Sequence, residues 1–154
     1  MTQNNFISLV QVIVSKAKAL NESHTDEINL PVNYACIFSQ SEPEFNELAL
    51  IASELGAIVQ ETAMGPVFKI SAIETEAGDL KLLKIRKPDL KRTEKGDADF
   101  TLSNYEKFKT RYLGKSGFNL IKRKEMEMIE LSDPKFDVLA YYSHPTLEDA
   151  LRLK

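Results

Sequence analysis

The chain has 154 residues, 43% of them hydrophobic, which suffices for one packed domain or two small halves sharing a core and excludes wholesale disorder. A net charge of −3 and a pI near 5.5 exclude a general nucleic-acid binder, because neutralising phosphates needs a basic surface; a local basic patch remains compatible with them. The single cysteine, Cys36, excludes an intrachain disulfide and fits a reducing compartment. Its apolar neighbours in NYACIF mark it as a buried structural thiol rather than a nucleophile. No basic region precedes the apolar residues of MTQNNFISLV, and no apolar run approaches a membrane span, so a cytoplasmic chain with no membrane partner is expected.

In chain order, residues 5–20 read as an amphipathic helix, with Phe6, Leu9, Val10, Ile13, Ala17 and Leu20 at helical spacing. The polar stretch NESHTDEINLP ends that pattern, and the helix is expected to pack on the main body or on a partner chain. NYACIFSQ reads as a buried strand. Ser41 and Glu44 then form a capping box, with Phe45, Leu48, Ala52 and Leu55 as the buried stripe and Gly56 as a left-handed stop. AIVQET, VFKISAI and LKLLKIR read as three further strands, separated by Met64-Gly65-Pro66 and EAGD turns.

The second half repeats this order. ADFTL is a strand with Ala98, Phe100 and Leu102 on one face and Asp99 and Thr101 on the other. Ser103 and Glu106 suggest a second capping box before the stripe Tyr105, Phe108 and Tyr112, and Gly114 stops that helix. FNLIKR, MEMIEL and FDVLAYYS supply three more strands, and TLEDALRLK reads as a brief closing helix. In MEMIEL, Met126 and Met128 are expected to face the core, with a methionine-lined pocket as the alternative, and the slip of the alternation at Met128-Ile129 suggests a bulge or a strand buried on both faces. The junctions 38–44 and 100–106 share the letters F-x-x-S-x-x-E, a short self-similarity supported by the common order of elements.

The expected fold is therefore α+β: two βαβββ-like halves, about 33–86 and 97–144, forming a helix-backed curved sheet within a domain 33–154, with 1–32 as an N-terminal helix and connection. Split βαβ units of the ferredoxin type are the rival architecture. Two βαβββ halves in which DFTLSNYEKFKTRYLG and MIELSDPKFDVLAYYSH form the second module resemble the vicinal oxygen chelate superfamily of glyoxalases, extradiol dioxygenases and bleomycin-resistance proteins. The resemblance implies sheets curled into a cup that holds the ligand, and, in the enzymes, a divalent metal held by His and Glu side chains on inner strands.

That donor set is hard to find in this chain. His24 lies in the polar connection and His144 at a strand end, so both read as surface residues, and the inner-strand carboxylates Glu130 and Asp99 would make a poor transition-metal site. No metal or other cofactor is expected. The cation-rich segment 84–95 is the other distinctive feature. Strand alternation puts Lys84 and Arg86 on the face opposite Leu83 and Ile85, where they share a concave surface with Asp99. Arg92, Asp97, Glu130 and Tyr141 complete the candidate ligand-binding set, with the choice between Tyr141 and Tyr142 left open. Lys87, Lys91 and Lys95 read as a solvated connection, and ion pairs with neighbouring acids are the alternative use of the other cations.

Three functions follow from this reading. The leading one is a domain that binds a small anionic or zwitterionic molecule. The others are a metal-assisted lyase, isomerase or dioxygenase of the same fold, and an interaction module that forms a homodimer through the N-terminal helix or edge strands.

Overall fold

The computed structural model describes residues 1–152. Helix α1 (Gln3–His24) is followed by β1 (Val32–Phe38), α2 (Glu42–Leu55), β2 (Gly56–Thr62), β3 (Gly65–Thr75) and β4 (Gly78–Arg86). The second half supplies β5 (Gly96–Phe100), α3 (Tyr105–Tyr112), β6 (Phe118–Lys122), β7 (Glu127–Leu131) and β8 (Val138–His144). The closing helix is the short α4 (Leu147–Ala150), and the expected continuation through Leu153 and Lys154 lies outside the described residues.

The strands form one curved, mixed, open sheet in the order β2-β3-β4-β1-β5-β8-β7-β6. In each half the first strand pairs in parallel with the last, β1 with β4 and β5 with β8. The two first strands then pair antiparallel at the centre of the sheet and join the halves. The result is the α+β arrangement of two βαβββ halves with an added N-terminal helix.

Period-two alternation sorts the residues of each inner strand between two faces. Ala35 and Ile37 of β1, Leu83 and Ile85 of β4, Ala98 and Phe100 of β5, and Ala140 and Tyr142 of β8 belong to one continuous core on the helix side. Cys36, Phe38 and Leu139 form a separate small cluster on the other face, with Tyr141 packed against it. Between β5, α3 and β8 the helix-side core is aromatic: Phe108 packs 4.4 Å from Tyr142 and 4.7 Å from Tyr112, centroid to centroid.

Helix α1 is longer than the apolar spacing suggests and runs across the middle of the sheet against β1, β3, β5 and β8. Phe6, Val10, Ile13, Val14 and Leu20 are all buried there, each side chain contributing about 1.5–3 kcal/mol on removal from water. The helix extends through Asn21 because that residue is itself buried and fully used. Its carboxamide accepts from the Tyr142 hydroxyl at 2.6 Å and donates to the Glu27 carbonyl at 2.7 Å. A polar letter that reads as the end of a helix is here the pin that docks it.

Several local expectations need correction. Gly56 ends α2 in extended backbone (φ −176°) and is the first residue of β2, so no left-handed stop is made. Glycine is needed there for space, since a Cβ would lie 1.9 Å from the Lys69 carbonyl oxygen on β3. Ser41 caps α2 as expected, accepting from the Glu44 amide at 3.2 Å, but Glu44 reaches back to the Gln40 amide rather than to that of Ser41. Helix α3 is capped by Asn104, which accepts from the Lys107 amide, not by Ser103. The halves therefore match one residue later than their shared letters do. Accordingly, Phe38 faces away from the helices while Phe100 faces toward them. The letters F-x-x-S-x-x-E coincide; the order of elements is what truly repeats. Strand β7 pairs with β6 and β8 in unbroken register, so of the two readings of Met128-Ile129 there is no bulge among the described residues, and the strand is buried on both faces over Ile129, Glu130 and Leu131.

Replacing Asn21 with Ala would leave the Tyr142 hydroxyl buried without an acceptor, a loss of about 1–3 kcal/mol. Urea unfolding of Asn21→Ala, Tyr142→Phe and the double variant checks this. The expected outcome is that Asn21→Ala costs more than Tyr142→Phe and that adding Tyr142→Phe to Asn21→Ala restores part of the loss.

Candidate functional site

The face of the sheet away from the long helices encloses a cup of about 580 Å³ to which β1, β2, β4, β5, β6, β7 and β8 all contribute. Its floor follows from register. Cys36 of β1 lies opposite Lys84 of β4 on one side and Asp97 of β5 on the other, so Lys84, Cys36 and Asp97 form one row across three strands. One row along, Asp99 lies opposite Tyr34 and beside Tyr141. Phe38 lies opposite Arg86, whose guanidinium sits 4.9 Å over its ring. An outer groove of equal volume holds Lys16 bonded to Asp137 at 3.0 Å.

The predicted residues are largely brought together. Lys84, Arg86, Arg92, Asp97, Asp99 and Tyr141 all line the cup. Glu130 points to the same face but is covered: it accepts from the Tyr141 hydroxyl at 2.6 Å and from Arg92 at 3.4 Å. Tyr141 is the cup residue and Tyr142 the core residue, which decides the choice left open by the sequence. Asp97, rather than Asp99, shares the row of Lys84. Lys91 and Lys95 are exposed and Lys87 lies outside the cup, in keeping with a solvated connection.

The cations differ in how far they are committed. Arg86 pairs with Asp89 at 3.0 Å, while its Nε is buried with no hydrogen-bond partner. Arg92, from the connection between the halves, reaches Glu94 and Glu130. Lys84 makes no ion pair among the described residues, and Arg123 at the rim bonds only the Lys122 carbonyl.

The two aspartates are only 8% and 3% exposed and are held differently. Asp99 accepts from the Ser143 hydroxyl, from the Ser143 amide at 3.4 Å and from the Asn33 carboxamide at 3.1 Å. Burial raises its pKa to about 6, and these hydrogen bonds oppose the rise. Asp97 has no hydrogen bond among the described residues. Burial, followed by the nearby Asp99 charge, pushes its pKa up to about 8 against the pull of Lys84 and Arg86. Of the two, Asp97 is the carboxyl group that keeps its proton to the higher pH. Burial also pushes the Cys36 thiol well up, which removes it as a nucleophile near neutrality.

Sequence reasoning missed part of the lining. Tyr34 and Ser143 follow by simple alternation from Cys36 and Tyr141 and were there to be read. Met126 and Met128 face the cup, not the core, because Ile129 and Leu131 take the helix side of β7. Gln60, Thr62 and Arg123 carried no signal, since only the curvature of the sheet brings its outer strands over the floor. His24 bonds Asp133 at 2.9 Å and His144 stacks on Tyr105, both outside the cup. Among the described residues no three His, Cys, Asp or Glu side chains converge as a metal-ligand set.

No family model matches the chain, and no curated protein matches its sequence. The fold is shared with a solved structure titled Protein EC4020, with a TM-score of 0.74 at 11% identity over 97% of this chain and 91% of that one. A proposed dioxygenase from Bacillus subtilis subsp. subtilis str. 168 aligns with a TM-score of only 0.25 at 13% identity, covering 77% of this chain and 42% of that chain, too low to carry an argument. No helix is long and apolar enough to cross a membrane among the described residues.

Asp97 gives a pH signature of stability. Its folded pKa of about 8 lies above the ordinary 3.8, so the folded state holds the extra proton between those values. Stability is then greatest below about pH 4 for this group and falls as pH rises through about 8, with a limiting slope of about 1.4 kcal/mol per pH unit. Asp97→Asn should remove that slope and stabilise the protein more at pH 9 than at pH 5. Denaturant midpoints of both proteins across this range are the measurement.

Proposed function

We propose that this chain is a small-molecule-binding domain of the vicinal oxygen chelate type whose cup receives an anionic or zwitterionic ligand without a metal. One observation carries the reading: a cation with no ion pair among the described residues, Lys84, lies in a row with an unpartnered buried acid, Asp97, on the floor of a cavity large enough for an organic molecule. A buried acid without a hydrogen-bond partner is costly unless something completes it. Arg86 adds a second, partly unsatisfied donor on the same face, and a guanidinium suits a carboxylate or phosphate.

The metal-assisted alternative has less support. Its two best donors are already engaged, Glu130 by Tyr141 and Arg92, and Asp99 by Ser143 and Asn33. For the interaction-module reading, the apolar stripe of α1 is used within the chain, which leaves the edge strands β2 and β6 as the places where a second copy would add.

The test is a thermal-shift series with acetate, benzoate, oxalate and phosphate on the wild-type chain, on Lys84→Met and on Arg86→Leu. A ligand that binds only the folded state raises the midpoint, by about 2.7 kcal/mol of stabilisation at a hundredfold excess over Kd. The expected outcome is stabilisation by at least one anion, abolished in Lys84→Met and weakened in Arg86→Leu, with both variants folded. Unshifted midpoints throughout, or equal shifts in all three proteins, reject the reading. Elemental analysis finding close to one equivalent of zinc, iron or manganese would turn the assignment to the metal-assisted alternative.

A further inference from the structure

Resting on the anion-binding reading, we propose that the ligand is an amphiphilic monocarboxylic acid, its carboxylate between Lys84 and Asp97 and its alkyl or aromatic body against Ile121, Met126, Met128 and Leu147. The proposal stands on how unevenly the cup is lined. The first half brings the polar side chains Gln60 and Thr62 of β2 and Lys84 and Arg86 of β4 to the cavity, together with Tyr34, Cys36, Phe38 and Met64. Around the polar floor formed by Asp97, Asp99 and Ser143, the outer elements of the second half add an apolar group, Ile121 on β6, Met126 and Met128 at and beside β7, and Leu147 on α4, with Arg123 as the one cation among them. All four apolar side chains are only half-buried, whereas Ile129 and Leu131 on the opposite face of β7 are fully covered by the core. Half-covered aliphatic surface gains when an apolar group displaces its water, and methionine adapts to the shape of what covers it.

The size and the floor narrow the class further. A cavity of about 580 Å³ lies within the range of organic ligand sites and is far larger than a bare inorganic anion requires. Asp97 has no hydrogen-bond partner among the described residues and is 8% exposed, so it is aimed at whatever occupies the floor. With its proton retained it donates to one carboxylate oxygen while Lys84 contacts the other. A doubly charged phosphate fits less well, because a second carboxyl group, Asp99, sits one row away from Asp97. A head with one negative charge matches one uncommitted ammonium beside one neutral carboxyl.

The experiment is calorimetric titration of the full-length chain at pH 7 with four probes: acetate, octanoate, 2-naphthoate and inorganic phosphate. Octanoate and 2-naphthoate are expected to bind at least about tenfold tighter than acetate, given the gain per buried methylene, and phosphate to bind more weakly than either. Met128→Gln, close in volume but polar, should cut the octanoate-to-acetate preference at least about threefold. Lys84→Met, or Lys84→Gln should that variant misfold, should abolish binding of all carboxylates. Asp97→Asn keeps a donor, so it should still bind at pH 7 but lose the fall in affinity that the wild type shows above about pH 8. Equal affinities for acetate and octanoate, both lost in the Lys84 variants, would overturn the amphiphile and leave the anion-binding cup standing. Tighter phosphate than octanoate, or an octanoate preference untouched by Met128→Gln, would likewise reject the ligand class or its placement. If no probe binds, or if the Lys84 variants bind unchanged, the inference and the anion-binding reading fall together.

Discussion

The antiparallel pairing of β1 with β5 is the contact on which the rest of the molecule depends. It turns two four-stranded units into one sheet, and its register decides which side chains become neighbours on both faces. Cys36 opposite Asp97 puts the acid in line with Lys84, and Ala35 opposite Ala98 sets two small residues side by side beneath α1. The close fit is visible at Gly96, where a Cβ would stand 2.3 Å from the Cys36 carbonyl oxygen and 2.9 Å from Ile13 of α1. A one-residue slip in this pairing would send Asp97 and Asp99 into the hydrocarbon core and Phe100 into the cup.

The two faces do opposite work. On the helix side, α1 covers strands of both halves, β1 and β3 of the first and β5 and β8 of the second, and its apolar residues join their cores into one. Its docking rests on apolar burial and on one buried hydrogen-bonded pair, Asn21 with Tyr142. On the cup side the protein leaves polar groups without full compensation. Asp97 is desolvated, Lys84 lacks an ion pair among the described residues, and Arg86 leaves a buried N–H unmatched. Such groups destabilise the empty fold, and the stability of the helix side is what allows the cup to keep them.

The polar chain Arg92–Glu130–Tyr141 links the connection between the halves to the sheet. Because Arg92 sits on an irregular segment and Glu130 on a strand, this contact fixes the connection at the edge of the cup. Glu130 is thereby a positioning residue for Arg92 and Tyr141.

Sequence by itself determined the elements, their order and the two faces of each inner strand. Those follow from local causes: apolar residues at a period of two or near four, capping side chains, and turn residues between them. That was enough to place Lys84, Arg86, Asp99 and Tyr141 on candidate strands, whereas Asp97 stood just before the strand read from Ala98 and belongs to β5 only in the structure. It misled where a letter has two local uses, as when Asn21 read as a helix end and Met128 as core, and where F-x-x-S-x-x-E matched one residue out of step with the real repeat. Only the tertiary structure decided which strands became neighbours, and with it that Asp97 and not Asp99 lies in the row of Lys84, that Tyr141 faces the cup, and that Gln60, Thr62 and Arg123 reach it. The physical reason is that register and sheet curvature are set by contacts between residues far apart in the chain, which no local pattern encodes.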